Sequence, residues 1–413
     1  MAITILADLD GTLLPRPYND QEDKDSSTET TPAETTNDDI SPRSQPMPKV
    51  VHPNLSEGPA YEPLVRLLDL GATVVGITGS QLSTHRRRFF DELPLHHRRD
   101  GRVMLAVQTG SQLYVGHGDD GRPIRDVEFD SHLSESISTQ LDNDTVNELV
   151  DIGRRGLAQF YTDLVNEPTI VDRDGPLGYL VDVARKLMAE KTTKGENIIG
   201  GHQIPITDGV HDVPRIEVRE NNSAVVFVGV PSSLGRNYFD VPQHLRSMVD
   251  GKPTGRSCYD CVPAGMDKSH VVRYLIRTNV IRHGRTVALG DQPAGNDAGL
   301  TLWHGSDAPM IDGAASDEKK CEEEMEGQSH TACTIPFISV SECHTMVPHR
   351  LNDCHVSRVT NAEGSAKVLA ELAETLEDEC KAEGVSFCTP TMRSIVKKVN
   401  DNASRNNSYR GNG

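Results

Sequence analysis

The chain begins with a β-branched and apolar run, Ile3-Thr4-Ile5-Leu6-Ala7, which stops abruptly at Asp8-Leu9-Asp10-Gly11-Thr12. Runs of the same kind recur at Thr73-Val74-Val75-Gly76-Ile77-Thr78, Val103-Met104-Leu105-Ala106-Val107, Thr286-Val287-Ala288-Leu289-Gly290 and Pro336-Phe337-Ile338-Ser339-Val340. Each has the length and continuity of a strand covered on both faces. Helical spacing lies between them, in Leu64, Leu67 and Leu68 ending at Gly71, and in Val271, Val272, Leu275 and Ile276. It returns in Ala366, Val368, Leu369, Leu372 and Leu376, an amphipathic helix expected to pack on the sheet. Residues Ser83 to Leu93 also read as a helix, with Arg86, Arg87 and Arg88 on its solvated side. Strands alternating with helices predict an α/β fold around a parallel sheet.

A second unit interrupts this alternation. Val146, Leu149, Val150 and Ile152, followed by Leu157 and Phe160, predict helices. Arg215-Ile216-Glu217-Val218-Arg219 and Ala224-Val225-Val226-Phe227-Val228 predict two strands joined by a hairpin-like turn at Glu220-Asn221-Asn222-Ser223. Residues 18–59 are rich in Asp, Glu, Ser, Thr and Pro and read as a disordered insertion, while residues 307–334, around Glu322-Glu323-Glu324, read as an acidic loop. The expected partition is a core in two parts, 1–113 and 261–378, with an inserted α/β unit at 114–260. A C-terminal extension, 379–413, follows, with a basic, Asn-rich and disordered tail.

Chemistry concentrates where the first strand ends. Side chains alternate along a strand, which predicts that Asp8 and Asp10 point the same way. Paired carboxylates at the end of an apolar strand repel one another and call for a cation or a proton. Taken alone, Asp-x-Asp-Gly is equally a solvated turn. Three later segments have the same ambiguity: Thr78 closing a strand, Lys268 just ahead of a helix, and Gly290-Asp291 followed by Gly295-Asn296-Asp297.

In this order, the four segments resemble the motifs of the haloacid dehalogenase-like hydrolase superfamily, in its α/β-capped, Cof-like and sugar-phosphatase-like branch. The resemblance implies a Rossmann-like, doubly wound parallel-sheet core with an inserted α/β cap domain. It implies that Asp8 is the nucleophile, forming an aspartyl-phosphate, and that Asp10 exchanges the leaving-group proton while its backbone carbonyl helps to hold Mg²⁺. That proton exchange requires an Asp10 pKa raised toward neutrality. Thr78 and Lys268 would bind phosphate oxygens, Asp8, Asp10 and Asp291 would be the metal-binding positions, and Gly79, Asn296 and Asp297 would support them. Gln108-Thr109-Gly110-Ser111 resembles the point at which such a chain leaves the core for its cap, and the segment Tyr259 to Lys268 resembles its return. Two departures stand out. Ser80 occupies the place where these relatives often carry Arg, so a positive charge would have to come from elsewhere, with Arg86 to Arg88 as candidates. Four residues separate Asp291 from Asn296, where two are commonest.

Composition narrows the partners. The formal charge of -19 over 413 residues argues against a nucleic-acid or anionic-membrane surface. Hydrophobic content of 36% is low for an enzyme of this size and fits a packed core carrying polar insertions. There is no apolar stretch of membrane-spanning length, and a first strand at Ile3 leaves no room for a leader, so the expectation is a cytoplasmic protein with reduced cysteines. Cys258-Tyr259-Asp260-Cys261 has metal-ligand spacing, but scattered thiols are the simpler reading. The function expected is a Mg²⁺-dependent phosphomonoesterase acting on a small phosphorylated metabolite, a sugar phosphate by analogy. His202, His211, Arg215, Arg219 and Arg236 are candidate selectors of the leaving group. A phosphosugar mutase and a non-catalytic phosphate-binding scaffold are the alternatives, and nothing in the sequence sets the oligomeric state.

Overall fold

A computed structural model of the chain describes residues 3–15, 18–19, 50–171, 180–182, 184–185, 214–231, 234–254, 258–281, 285–292, 297–300, 335–341, 354–381 and 389–410. The expectations for 20–49, for 307–334 and for Asn296, His202 and His211 lie outside these residues. The strands, in chain order, are β1 (Thr4–Asp8), β2 (Tyr18–Asn19), β3 (Val50–Val51), β4 (Thr73–Ile77), β5 (Val103–Val107), β6 (Gln112–His117) and β7 (Arg122–Arg125). They continue as β8 (Arg215–Val218), β9 (Val225–Val228), β10 (Val249–Thr254), β11 (Cys258–Pro263), β12 (Thr286–Gly290), β13 (Phe337–Ser339) and β14 (Cys354–Val356).

The larger sheet has the order β14-β13-β12-β1-β4-β5-β6-β7. Its first six strands are parallel, and β6 and β7 add an antiparallel edge. Strand β1 lies between β12 and β4 because nothing polar interrupts it: Ile5, Leu6 and Ala7 are fully buried. Each such Ile or Leu contributes about 1.5–3 kcal/mol relative to leaving it in water. Its alternate residues feed two cores. Ile5 and Ala7 join Leu64, Leu67 and Leu68 of the helix Tyr61–Asp69 and Leu369 and Leu372 of the helix Asn361–Lys381. Leu6 joins Phe129 of the helix Val127–Ser136 and Val271, Val272 and Leu275 of the helix Ser269–Arg277. Helices on both faces of a mostly parallel sheet make the doubly wound arrangement.

A second, antiparallel sheet has the order β10-β11-β9-β8. The helix Asn143–Asn166 packs Phe160 and Leu164 on one face, with Phe227 and Tyr259. On the other face, Ala224, Val226, Val228 and Val262 belong to the same apolar cluster as Leu6 and Ile77, so this sheet sits against the core. This unit is the inserted α/β cap.

Local sequence and tertiary structure part company in three places. The cap was expected to start at 114, but Gln112–His117 and Arg122–Arg125 extend the larger sheet, and the chain leaves it only after Arg125. On the return, β11 stays paired in the smaller sheet through Pro263. Order after the insertion was expected to resume near Tyr61, yet Val50–Val51 already pairs with Tyr18–Asn19, and Leu55 is fully buried. The tail was expected to be disordered, but Thr389–Arg410 is a helix whose Met392, Ile395, Val396 and Val399 enter the core at helical spacing. Among the described residues, no helix is long and apolar enough to cross a membrane.

Candidate active site

Strand β1 ends at Asp8, and the chain then closes at once into a tight turn. The backbone N–H groups of Thr12, Leu13 and Leu14 all converge on the carbonyl of Leu9. Gly11 makes this possible with φ +82, and its missing side chain leaves room for Asp291: a Cβ there would stand 2.6 Å from Asp291 Oδ2. Asp8 lies in register with Ile77, so Thr78 is the next residue on the neighbouring strand end. The Thr78 hydroxyl is buried and accepts the Ser80 N–H at 3.1 Å, which fixes it at the rim and leaves its own proton to donate.

Lys268 arrives from the opposite side, at the start of the helix Ser269–Arg277, and is fully buried. Its ammonium donates to Asp8 Oδ1 at 2.5 Å and to Asp297 Oδ1 at 2.7 Å. Asp297 is held in turn by the Gln292 N–H, which donates to Oδ2 at 2.9 Å. Ligand atoms of Asp8, Asp291 and Asp297 all lie within 4.8 Å of one another. Three carboxylates therefore crowd together around one lysine that bonds two of them, and the electrostatics follow. Burial raises the Asp8 pKa, Lys268 works against that, and Asp297 and Asp291 add to the rise. Burial and Asp297 push Asp291 up to about 7. Lys268 is shifted upward, because Asp297 and Asp8 more than offset its burial.

This donor set fits a hard divalent cation. It consists of carboxylate oxygens alone, and it carries more negative charge than its one lysine balances. Mg²⁺, which takes one or two carboxylates and keeps its remaining positions for water and phosphate, suits it better than a metal that seeks nitrogen or sulfur. Cys258 and Cys261, three apart on β11, fall on opposite faces of the strand and cannot share an ion.

Asp10 departs from expectation. Since β1 stops at Asp8, strand alternation no longer governs it, and its half-exposed side chain is turned toward His85 and Arg88. Asp10 Oδ2 lies 2.9 Å from His85 Nε2, and Asp10 Oδ1 accepts from Arg88 Nη1 at 3.3 Å. Desolvation opposes its charge, but the His85 and Arg88 contacts outweigh it and hold the carboxyl well below the usual range rather than raised. Its carboxylate is not in the close group of Asp8, Asp291 and Asp297, although its charge still acts on Asp291. Arg88, read from sequence as solvated, brings to the site a positive charge of the kind Ser80 lacks. Arg86 instead pairs with Asp91.

One residue that the sequence reading did not single out as a site residue is Asp260. On β11 it lies opposite Lys252 and Val226, on the face of the small sheet turned to the core, and it is 5% exposed. Its Oδ2 would be 3.6 Å from a Cβ on Gly79, so the cap meets the loop after Thr78 at this carboxylate. Its signal was present in the strand alternation, which separates Asp260 from Cys261. Burial pushes its pKa up to about 6, although Thr254 and Arg219 act in the other direction. Of the other candidate selectors, Arg215 and Arg219 both reach Glu217, at 2.5 and 3.1 Å.

Folded Asp260 binds its proton more tightly than unfolded Asp260, so its contribution to stability falls as pH rises from about 4 to about 6. Asp260→Asn is expected to match the wild type in melting temperature at pH 4. Above pH 7 it should exceed the wild type by about 2–3 kcal/mol of stability. A difference that does not change between pH 4 and pH 8 would contradict this environment.

No family model matches the chain, and neither does any curated protein sequence. Solved structures similar to it include an IMP-bound IMP-nucleotidase of Plasmodium falciparum, with 10% identity, TM-score 0.36, and 72% of this chain and 62% of that one covered. The chain thus spans about three fifths of the length of that nucleotidase. The sucrose-phosphatase of Synechocystis sp. PCC6803, in complex with sucrose and phosphate, is similar at 12% identity and TM-score 0.41, over 91% of this chain and 98% of that one. The C-terminal domain of the C. albicans trehalose-6-phosphate phosphatase is similar at 12% identity and TM-score 0.41, over 90% and 91%.

Proposed function

We propose that the protein is a haloacid dehalogenase-like phosphomonoesterase that works with Mg²⁺ through an aspartyl-phosphate on Asp8, acting on a sugar phosphate or a similar small phosphorylated metabolite. The observation that carries this reading is the clustering of Asp8, Asp291 and Asp297 beyond the ends of β1 and β12, with Lys268 bonded to Asp8 and Asp297. Ligands of open parallel sheets bind beyond such strand ends. A binding module for phosphate compounds would gain nothing from gathering three carboxylates, two of them buried, where an anion must enter.

Mg²⁺ would be held by Asp8, Asp291, Asp297 and the Asp10 carbonyl, and when bound it would offset the negative charge of the phosphoryl group and of the attacking carboxylate. Lys268 and Thr78 would hold phosphoryl oxygens in line with Asp8. An oxygen of the Asp8 carboxylate attacks phosphorus, the bond to the ester oxygen breaks, and that oxygen takes a proton by way of Asp10, whose carboxylate, held ionised by His85 and Arg88, must take up that proton before it can give it. In the second half, water attacks the acyl phosphate, Asp10 accepts its proton, and Asp8 is released with inorganic phosphate. The cap face that bears Asp260 stands over the leaving group, and the sugar-phosphate preference draws on the names of the similar phosphatases.

The test is phosphate release from a panel of sugar, polyol and nucleoside phosphates, with and without Mg²⁺. Metal-dependent release from at least one ester is expected. If no ester is hydrolysed but a phosphosugar isomerises when primed with a bisphosphate, the mutase reading replaces this one.

A further inference from the structure

His85 is fully buried, as are Phe89 and Phe90 in the turn that follows it, yet its ring is polar. Neither ring nitrogen makes a well-aligned hydrogen bond, and what faces Nε2 is Asp10 Oδ2 at ion-pair distance, 2.9 Å. An apolar side chain would fill this place without leaving ring nitrogens out of water. The contact with Asp10 is what the histidine adds.

Arg88 repeats the pattern from the same side. Its side chain is 12% exposed and reaches Asp10 Oδ1 with Nη1, while Nε donates to the Pro53 carbonyl at 3.3 Å. The two residues are three apart, where the helix Leu82–His85 widens into a π turn over Arg86–Phe90, closed by the Asp91 N–H on the Arg86 carbonyl at 2.7 Å. Single π turns are uncommon and recur at functional sites. This one sends Phe89 and Phe90 into the core while His85 and Arg88 meet a single carboxylate. Among the described residues, no other side chain pairs with the Asp10 carboxylate.

We propose that His85 and Arg88 are positioning residues for Asp10, two arms of one helical turn that fix the direction of its carboxylate at the mouth of the site. The catalytic consequence rests on the phosphatase reading above, whereas the clamp itself rests on the contacts alone. Asp10 is half exposed and lies within the turn that Gly11 allows, beyond the end of β1, so without the clamp its carboxylate samples many directions and seldom meets a leaving oxygen. Misplacing a catalytic group by about 1 Å costs up to about 10²-fold in rate. The loss should fall on the proton-transfer step alone, because neither arm touches Asp8, Lys268 or Asp297.

The experiment compares kcat/KM for an alkyl or sugar phosphate, whose leaving oxygen needs a proton, with kcat/KM for p-nitrophenyl phosphate, whose leaving group departs as the anion. His85→Leu is expected to lower the first by about 10- to 100-fold and the second by less than about threefold. His85→Gln, which returns a polar group near Nε2, should recover most of the loss, and Arg88→Lys should show a smaller version of the same split. On an Asp10→Asn background, His85→Leu should add nothing further. Equal losses on both esters, or losses that multiply with Asp10→Asn, would overturn the proposal. A readout independent of turnover is the ¹⁵N resonance of the His85 ring, expected to move in Asp10→Asn. If the wild type hydrolyses neither ester and the resonance still moves, the clamp stands and the phosphatase reading alone fails. If the resonance does not move, the clamp itself is overturned.

Discussion

Asp8→Asn is expected to abolish phosphate release from every ester the wild type accepts, by at least about 10⁴-fold, while leaving the fold intact. The loss is large because the amide that replaces the carboxylate cannot form the acyl phosphate, and removal of a covalent nucleophile leaves only the residual effect of binding and polar stabilisation. The fold survives because of the same charge balance that defines the site. Burial works against the charge on Asp8, and Asp297 remains as a partner for Lys268, so the neutral isostere relieves repulsion instead of stranding a lysine. Melting temperature without Mg²⁺ should therefore be equal to or above that of the wild type. A second arm uses beryllium fluoride, which mimics the phosphorylated carboxylate: with Mg²⁺ it should bind the wild type and not Asp8→Asn. Activity retained in the variant would remove Asp8 from the role of nucleophile.

The parts of this site that the sequence announced are those fixed by local pattern. An apolar run ending in a carboxylate puts Asp8 at a strand end whichever strands flank it, and the helical spacing after Lys268 puts that lysine at a helix start. Once β1, β4 and β12 form one parallel sheet, Asp8, Thr78 and Asp291 meet at one edge through register alone.

What the sequence hid depends on contacts between distant segments. Asp10 was read as facing the same way as Asp8, but the strand stops two residues too early for that, and its partners lie 75 and 78 residues further on. Asp297 looked secondary to Asp291, since its place is set by the closing of the loop on the Gln292 N–H and by the absence of a side chain at Gly290, whose Cβ would run into the Asp297 carboxylate. Asp260 was overshadowed by the neighbouring cysteines, although strand alternation turns Cys258, Asp260 and Val262 toward the core and Tyr259 and Cys261 away from it. The C-terminal helix was obscured by composition: its Asn-rich surface outnumbers the four apolar residues that anchor it.

Lys268→Met should produce the largest loss of stability of any single change in the site, about 3–5 kcal/mol, together with loss of activity. The lysine is fully buried, and it is the cation shared by Asp8 and Asp297, which are 7% and 1% exposed. Methionine fills a similar volume, so packing changes little and the cost is electrostatic: two buried carboxylates lose their counter-charge beside Asp291. Those carboxylates can escape the cost by taking up protons, and proton uptake is easier at low pH. The destabilisation should therefore be smaller at pH 5 than at pH 8, in line with the direction already visible at Asp291, which is pushed up to about 7. Added Mg²⁺ should recover part of the stability at pH 8, because a cation among the three carboxylates replaces some of the missing charge. Denaturant unfolding at the two pH values, with and without Mg²⁺, measures all three effects. A loss below about 1 kcal/mol, or one that is equal at both pH values, would mean that Lys268 does not hold these carboxylates together.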